Sequence, residues 1–274
     1  MGVTIEEIRA GVRGMGLSAR PLCVHASLRS FGWVEDGPAA VVDGLLAEGC
    51  TVLVPAFADV YRIPPPPDSR LRPARNGCNY ERPPPPATEL VYSPESQEIE
   101  TAEMGAIPTE VIRRPERVRG NHPIDSFAAV GRLAEELIQG QHGHDPYAPL
   151  RALGERGGWV LLMGVGLNRM TLLHEAERQA GRNLFMRWAN GPDGRPIGVE
   201  SGGCSAGFPR LEPLLGPLAR ETVVGSSRWR AFPLAETLAR AAAAIRRDPE
   251  ITRCEEDCWR CGDAIAGGPI LDEG

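Results

Sequence analysis

Two short apolar runs flank a segment of helical periodicity near the start of the chain. The runs are residues 21–25 and 50–55, and between them residues 39–46 repeat apolar side chains at the spacing of a helix face. Apolar runs of this length that end in small polar residues or proline are typical of buried strands. A strand, a helix and a second strand in that order predict a parallel crossover unit.

Further predicted elements continue this alternation along the chain. Residues 159–166 form the clearest buried strand, and they end in glycines. The other predicted elements are helices at 4–15 (with Thr4 as N-cap and Glu7 three residues on), 107–114, 133–138, 150–153, 171–180 and 234–246, a strand at 126–130, and a hairpin at 182–199 around the turn 190–194. We therefore predict one mixed α/β domain over residues 1–274, with a central, largely parallel sheet flanked by helices.

Residues 59–100 break this rhythm. Prolines at 64–67 and 83–86 bracket a polar stretch, and proline excludes regular helix and central strand because it lacks an N–H and fixes φ. We predict a long proline-rich inserted loop here, which is either a disordered insertion or a lid that faces a substrate. At the other end of the chain, residues 250–274 are predicted to form a cysteine-containing tail.

The charge balance argues against some classes of function. The 274 residues carry 30 basic side chains, all of them arginine, and 36 acidic ones, which gives a net charge of −6. This balance argues against a nucleic-acid partner, which would require a basic face, and it suits a cationic ligand. No apolar run approaches the roughly 20 residues that a membrane helix needs, so we expect no membrane partner.

The cysteines favour a reducing environment. Their number is seven, which is odd, and this favours a cytoplasmic protein without disulfides. Cys254, Cys258 and Cys261 have spacings that suggest zinc, but a closed structural site needs four ligands. Asp263 or the distant Cys204 would complete the set in that interpretation. We expect free thiols and no metal.

Small and polar residues follow the first predicted strand. The stretch from His25 to Ser30 lies at its end, and open α/β sheets bind ligands at the carboxyl ends of their strands. Backbone N–H groups of such a loop, together with Ser27, would hold a phosphate or a carbonyl oxygen. The alternative is a loop that only turns the chain.

Isolated histidines and a glutamate suggest acid–base chemistry. His174 lies early in the predicted helix 171–180, with Glu177 three residues on along the same face, and histidine accepts a proton near neutral pH. Asn121 and His122 precede a proline, which favours extended backbone. Glu200 ends the hairpin before a glycine-rich loop, and a carboxylate beside a histidine fixes its tautomer. The alternatives are a histidine bonded within the core and a glutamate in solvent.

The motifs, taken in chain order, resemble those of one family. They are V-H-A-S-L-R-S at 24–30, T-V-L-V-P at 51–55, M-G-A-I-P at 104–108, H-P at 122–123, S-F-A-A-V-G at 126–131, L-L-M-G-V-G at 161–166 and T-L-L-H-E-A-E at 171–177. The family is that of the aminoglycoside 3-N-acetyltransferases, which use acetyl-CoA. The resemblance runs from about residue 20 to residue 208, and the cysteine-bearing tail is also similar to that of one branch.

The resemblance implies a role for each matching residue. His174 corresponds to the base that takes a proton from the amine, Glu200 to the acid that orients it, and Thr171 or a loop N–H to the group that stabilises the thioester oxyanion. The implied acetyl-CoA cleft is lined by His25, Ala26, Ser27, Leu28, Arg29, Ser30, Met104, Gly105, Ala106, Ile107, Pro108, Asn121 and His122. The implied contacts to a small cationic amine substrate are Asp59, Tyr61, Glu177 and Glu200. We expect a monomer or a homodimer.

Departures from the family pattern bear mainly on the acceptor. Ala26 stands where the family has a serine, Met170 where an asparagine is usual, and Gly202 and Gly203 where an aspartate is common. The acceptor is therefore either an aminoglycoside antibiotic, with resistance as the outcome, or another amine metabolite. Two further alternatives are a non-catalytic relative that binds CoA or an aminoglycoside, and an acyl-enzyme mechanism through Cys204.

Overall fold

The computed structural model describes residues 2–68, 71–83 and 86–269, and its frame is a mixed sheet with helices on both faces. The helices in these ranges are α1 (Ile5–Gly14), α2 (Gly37–Ala47), α3 (Thr101–Met104), α4 (Ala106–Arg113), α5 (Ala134–Ile138), α6 (Ala148–Glu155), α7 (Leu172–Gln179), α8 (Glu212–Leu215), α9 (Leu234–Arg247) and α10 (Trp259–Ile265). The strands are β1 (Pro21–Ala26), β2 (Thr51–Pro55), β3 (Arg62–Ile63), β4 (Val118–Arg119), β5 (Phe127–Val130), β6 (Trp159–Met163), β7 (Phe185–Asn190), β8 (Pro196–Ser201), β9 (Arg220–Val224) and β10 (Ser227–Pro233). None of the described helices combines the length and the apolar character needed to cross a membrane.

Three parallel strands form the centre of the seven-stranded sheet, whose order is β4-β5-β2-β1-β6-β10-β9. β1 pairs in parallel with β2, where Cys23 lies opposite Leu53, and with β6, where His25 lies opposite Leu162. The outer strands join antiparallel on both sides. The predicted mixed α/β class and the crossover unit β1–α2–β2 are confirmed, with parallel pairing confined to the three central strands.

β1 is buried because helices cover both faces of the sheet. Leu22 and Val24 pack in the core on the side of α1, α2 and α4, whereas Cys23 packs on the side of α6, α7 and α9. Successive side chains of a strand point to opposite faces, so a strand buried on both sides reads as a continuous apolar run. This arrangement leaves the ends of the central strands as the places where the sheet can meet a ligand.

A second sheet, of order β3-β7-β8, contains the predicted hairpin and holds part of residues 59–100. Asn76 is fully buried there: its side-chain oxygen accepts from the Met186 N–H at 2.7 Å, and its side-chain nitrogen donates to the Met186 carbonyl at 3.1 Å. Val91 forms an isolated bridge with Asn190. Prolines 84 and 85 and the last five residues of the predicted tail lie outside the described residues.

The edge hairpin of β9 and β10 has no counterpart among the predicted elements. In β10, Arg228 and Arg230 alternate with the buried Trp229 and Ala231, and β9 is largely exposed. This alternation is a local strand signal that the predicted elements do not include, and pairing with β6 and β9 makes β10 part of the sheet.

α1 begins with the predicted capping box. The Thr4 hydroxyl accepts a hydrogen bond from the Glu7 N–H at 3.3 Å, and the Glu7 carboxylate accepts from the Thr4 N–H at 2.8 Å. These two bonds satisfy backbone donors that the first turn of a helix otherwise leaves open.

Replacing Thr4 therefore tests this local stabilisation. We expect Thr4→Ala to lower the free energy of unfolding by about 1 kcal/mol, whereas Thr4→Ser retains most of it because the hydroxyl remains. Urea denaturation followed by circular dichroism measures both variants. Equal stabilities of the alanine variant and the wild type would contradict the assignment.

Candidate active site

A cavity of about 1090 Å³ opens at the carboxyl ends of β1 and β6. Open α/β sheets bind ligands at this edge. Its walls come from the loop after β1, the start of α2, the segment from α3 into α4, and the loop before α7. The lining residues include His25, Ala26, Ser27, Leu28, Arg29, Trp33, Gly37, Thr101, Glu103, Met104, Gly105, Ala106, Pro108, Asn168, Arg169, Thr171, His174 and Ser205.

Two of the predicted cleft residues lie behind this wall instead of in it. The Ser30 hydroxyl donates to the Ser27 carbonyl at 2.7 Å and lies 2.7 Å from the Ser227 hydroxyl, so it braces the loop after β1. Ile107, in the first turn of α4, is buried in the core. Gly105 adopts φ of +83°, a conformation that favours glycine, at the start of α4.

His25 contributes an uncharged imidazole to the cavity. The ring is buried, and its Nε2 lies 3.6 Å from the Cys23 sulfur. Burial lowers the pKa of His25 to about 3, and the nearby charge of Arg169 acts in the same direction. The predicted cleft position of His25 therefore brings no positive charge at neutral pH.

His174 presents one ring nitrogen to the cavity and holds the other in a hydrogen bond. Its ring is stacked on Tyr147 with a centroid distance of 6.3 Å, and Phe208 meets it edge-on at 4.8 Å. Nδ1 lies 2.9 Å from Oε2 of Glu177. Because an ionised carboxylate only accepts, Nδ1 carries the proton and Nε2 carries the lone pair.

Glu177 is itself fixed by a buried cation. Its other oxygen, Oε1, accepts from the Arg182 guanidinium and, at 3.3 Å, from the Thr252 hydroxyl. Arg182 also donates to Thr252 at 2.7 Å and to the carbonyl of Pro249. Both members of the Glu177–Arg182 pair are buried, so the hydrogen bonds compensate charges that would otherwise be costly to bury.

This geometry corrects two predictions. The sequence interpretation places Glu177 against substrate, but its carboxylate is occupied by His174, Arg182 and Thr252. The same interpretation gives Glu200 the task of orienting His174, but Glu177 takes that position because residues three apart on a helix are neighbours. The i,i+3 spacing in the sequence carries this signal.

Gly202 lies directly against the histidine ring. A Cβ at this position would lie 2.5 Å from the Tyr147 hydroxyl and 2.9 Å from His174 carbon atoms. Glycine is therefore required for space.

His122 does not line the cavity, contrary to its predicted place in the cofactor cleft, and it bonds instead to the backbone of two acidic residues. The ring is fully buried, its Nδ1 accepts from the Asp125 N–H at 2.8 Å, and its Nε2 donates to the Glu200 carbonyl at 2.9 Å. Burial lowers the pKa of His122, which favours the neutral form. The imidazole thus joins the backbone at Asp125 to that at Glu200.

Asp59 and Glu200, which the resemblance assigns to the substrate, do not line the described cavity, and neither does Asp125. Burial raises the pKa of Tyr147, and the charges of Asp125 and Glu200 are among those that raise it further. Burial, with Asp145 adding repulsion, also raises the pKa of Glu200. The pKa of Asp59 is raised because neighbouring groups exclude water from its carboxylate, and Asp125 adds to this. The sequence patterns gave no indication of Asp125.

Two other predicted residues lie apart from the cavity wall. Tyr61 is buried, donates its hydroxyl to Glu98 and packs on Tyr92 with a centroid distance of 5.2 Å. Burial and the bond to Glu98 raise the pKa of Tyr61 to about 12. Asn121 is exposed to solvent. Neither residue lines the described cavity, so the structure does not support the predicted contact of Tyr61 with substrate or that of Asn121 with the cofactor.

Of the two residues that the sequence offers as a fourth ligand, the structure brings Cys204 to the three tail cysteines, whereas Asp263 accepts a hydrogen bond from the Gly77 N–H. Cys204 follows β8 and lies with Cys254, Cys258 and Cys261 in one cluster, whose sulfur atoms are all within 4.8 Å of one another. Spacing alone does not decide between the two candidates, since 50 residues separate Cys204 from Cys254.

Known sequences match most of the chain. The sequence model of the family described as aminoglycoside 3-N-acetyltransferase matches residues 23–246. Aminoglycoside N(3)-acetyltransferase VIII of Streptomyces fradiae is 33% identical over 184 residues, which cover 65% of this chain and 62% of that protein. The matched region thus spans less than two thirds of that relative's length.

Solved structures share the whole fold. The apoenzyme of aminoglycoside acetyltransferase AAC(3)-IVa superposes with a TM-score of 0.76 at 25% identity, covering 97% of this chain and 98% of that one. A mutant of AAC(3)-IVa in complex with a gentamicin has a TM-score of 0.73 at 25% identity, with the same coverage of both chains.

The hydrogen bonds of Glu177 predict the tautomer of His174. In the wild type, Nδ1 carries the proton. In Glu177→Gln the donors Arg182 and Thr252 retain the amide oxygen, so the amide NH₂ faces Nδ1 and the proton moves to Nε2. Nitrogen-15 NMR of the imidazole measures this exchange, with the Nε2–H form of His122 as the internal reference. The same His174 tautomer in both proteins would contradict the geometry.

Proposed function

The chain belongs to the aminoglycoside 3-N-acetyltransferase family, and from this premise we propose that it transfers the acetyl group of acetyl-CoA to an amine of an aminoglycoside. The observation that carries the proposal is the His174 imidazole, which lines a large cavity at the sheet edge and is oriented by a buried carboxylate. Such a cavity exceeds the usual upper size of about 1,000 Å³ for a drug-sized ligand, and acetyl-CoA with an amine requires that space.

His174 acts as the general base. The acceptor amine loses one proton to solvent, and its nitrogen attacks the thioester carbon as Nε2 takes the second. The C–N bond forms, the C–S bond breaks, and the imidazolium returns the proton to the departing thiolate, giving an amide and CoA. General-base assistance of this kind typically contributes about 10²–10⁴-fold to the rate.

The second histidine of the described cavity wall is unsuited to this task. A base with a pKa of about 3 has little tendency to take a proton at neutral pH, which excludes His25. Glu177, held by Arg182, stabilises the imidazolium that His174 becomes during the reaction. Arg182 and Thr252 are positioning residues, because they act through Glu177.

Thr171 is placed to assist the thioester oxygen. It lines the cavity one turn before His174, and its carbonyl accepts from the His174 N–H at 3.0 Å. Its side chain caps no backbone N–H of α7, so the hydroxyl is left to donate to a ligand. A donor aimed at the developing oxyanion stabilises the tetrahedral intermediate.

The exposed end of the cavity suits the nucleotide part of CoA. Arg29 supplies positive charge there, as does Arg169, which also pairs with Glu103 at 2.9 Å, and Trp33 offers an indole that is 75% exposed. The N-termini of α2 and α4 also reach the cavity, and helix N-termini favour phosphate. The pantetheine arm then leads inward to the buried end, where Ser27, Thr171 and His174 lie.

Asp59, Asp125 and Glu200 supply negative charge that attracts the acceptor from outside the described cavity wall. An aminoglycoside carries several ammonium groups, and the charges of Asp125 and Glu200 act on Tyr147, whose ring is stacked on His174. Because the pKa of Glu200 is raised, its charge is lost at a higher pH than that of an ordinary glutamate. As the pH is lowered, affinity for the cationic acceptor is therefore expected to fall at a higher pH than an ordinary glutamate would give.

Mass spectrometry of the products tests the proposal. With acetyl-CoA and gentamicin or apramycin, the wild type gives an aminoglycoside heavier by one acetyl group, together with free CoA thiol. We expect His174→Ala to lower kcat by about 10²–10⁴-fold while calorimetric affinity for acetyl-CoA is retained. His144→Ala, which alters an exposed histidine outside the cavity wall, is the control and keeps wild-type kcat.

Each component of the proposal has an outcome that would overturn it. Acetylation of small amines without any aminoglycoside product would refute the acceptor. Binding of CoA without thiol release for any amine would refute the enzyme. Wild-type turnover by His174→Ala would refute the base.

A further inference from the structure

The cysteine cluster lies outside the cavity and has its own geometry. Cys204 comes from the loop after β8, Cys254 and Cys258 from the segment after α9, and Cys261 from α10. The Cys254 sulfur lies 3.5 Å from that of Cys261 and 3.8 Å from that of Cys204. All four sulfur atoms lie within 4.8 Å of one another.

These separations match a tetrahedron around one metal ion. Zn–S bonds are about 2.3 Å, and a regular tetrahedron with that radius has sulfur–sulfur edges of about 3.8 Å. Tetrahedral sets of four sulfur ligands bind zinc or iron–sulfur clusters, and a cluster of several iron atoms spreads its cysteines farther apart than one ion does. We propose that Cys204, Cys254, Cys258 and Cys261 hold one structural Zn²⁺ ion.

The charge around the cluster also suits this ion. Each thiol releases its proton to solvent on binding, so zinc with four thiolates carries two net negative charges. Arg210 donates to the Cys254 carbonyl at 3.2 Å, and Arg260 donates to the Gly203 carbonyl at 3.1 Å, which places two guanidinium groups on the backbone next to the ligands. Their positive charge offsets part of the negative charge of the site.

The ion has a structural role, since four protein ligands leave no open position for a substrate or water. It joins the C-terminal segment to the loop that carries Gly202, and Gly202 lies against His174. The same segment supplies Thr252 and the Pro249 carbonyl, which hold Glu177 and Arg182. Zinc thus stabilises, from outside the cavity, the loop and the C-terminal segment whose residues hold His174 and Glu177 in place.

The site extends beyond the part of the chain that matches the family. That match ends at residue 246, so three of the four ligands lie outside it. Metal content is measured without any substrate, and the proposal therefore stands or falls independently of the proposed function.

Metal content of the full chain, purified without chelator, is measured by elemental analysis and native mass spectrometry. We expect about one zinc per chain in the wild type and in the control Cys78→Ser, whose thiol lies outside the cluster, and loss of most zinc in Cys204→Ser and Cys258→Ser. Replacement by Co²⁺ gives the intense visible absorption of a tetrahedral tetrathiolate. Iron instead of zinc, no metal, or a disulfide within the cluster would each overturn the assignment.

Alkylation of the wild type gives a second test that does not require the variants to fold. We expect iodoacetamide to modify the four cluster cysteines, identified by peptide mapping, only after a zinc chelator is added. Cys78, which is half-buried, reacts at the same rate with and without chelator. Equal reactivity of Cys254, Cys258 and Cys261 before and after chelation would overturn the proposal.

Discussion

The hydrogen bond between Glu177 and Nδ1 of His174 holds the site together. It fixes the ring tautomer, turns the basic nitrogen outward, and supplies a negative charge for the imidazolium that forms when the ring takes a proton. A buried carboxylate can do this only if its own charge is compensated. Arg182 and Thr252 provide that compensation from behind, on the side away from the cavity.

The sheet provides the setting for this pair. Because β1 and β6 are parallel neighbours, their carboxyl ends open at the same edge, and the loops that follow them form facing walls. The helix after β6 carries both His174 and Glu177, so one short element sets their relative geometry. Tyr147, Phe208 and Gly202 then close around the ring and restrict its rotation.

The local features of this protein could be predicted from its sequence. The capping box of α1, the crossover from β1 through α2 to β2, and the glycine-ended strand before His174 all depend on residues close together in the chain. Most of the cavity wall from His25 to Arg29 also follows from its place at a strand end. The i,i+3 spacing of His174 and Glu177 is likewise local, although the resemblance to the family draws attention to Glu200.

Long-range contacts account for what the sequence does not reveal. Thr252 reaches Glu177 across 75 residues, Cys204 joins the tail cysteines across 50 or more, and His122 reaches Glu200 across 78. No local pattern encodes such pairings, because each depends on how separate elements pack. Burial also decides roles: the buried Tyr61 and His122 are held by the protein itself and have no group left for a ligand.

The turnover of Glu177→Gln is the decisive measurement for the role of this hydrogen bond. The substitution preserves shape and removes only the charge and one acceptor. We predict that kcat falls by about 10²–10⁴-fold and by no more than in His174→Ala, as expected when a catalytic histidine takes the wrong tautomer, while acetyl-CoA still binds. Glu236→Gln, on an exposed turn of α9, serves as the control. A folded Glu177→Gln protein that keeps wild-type kcat would show that His174 does not depend on this carboxylate.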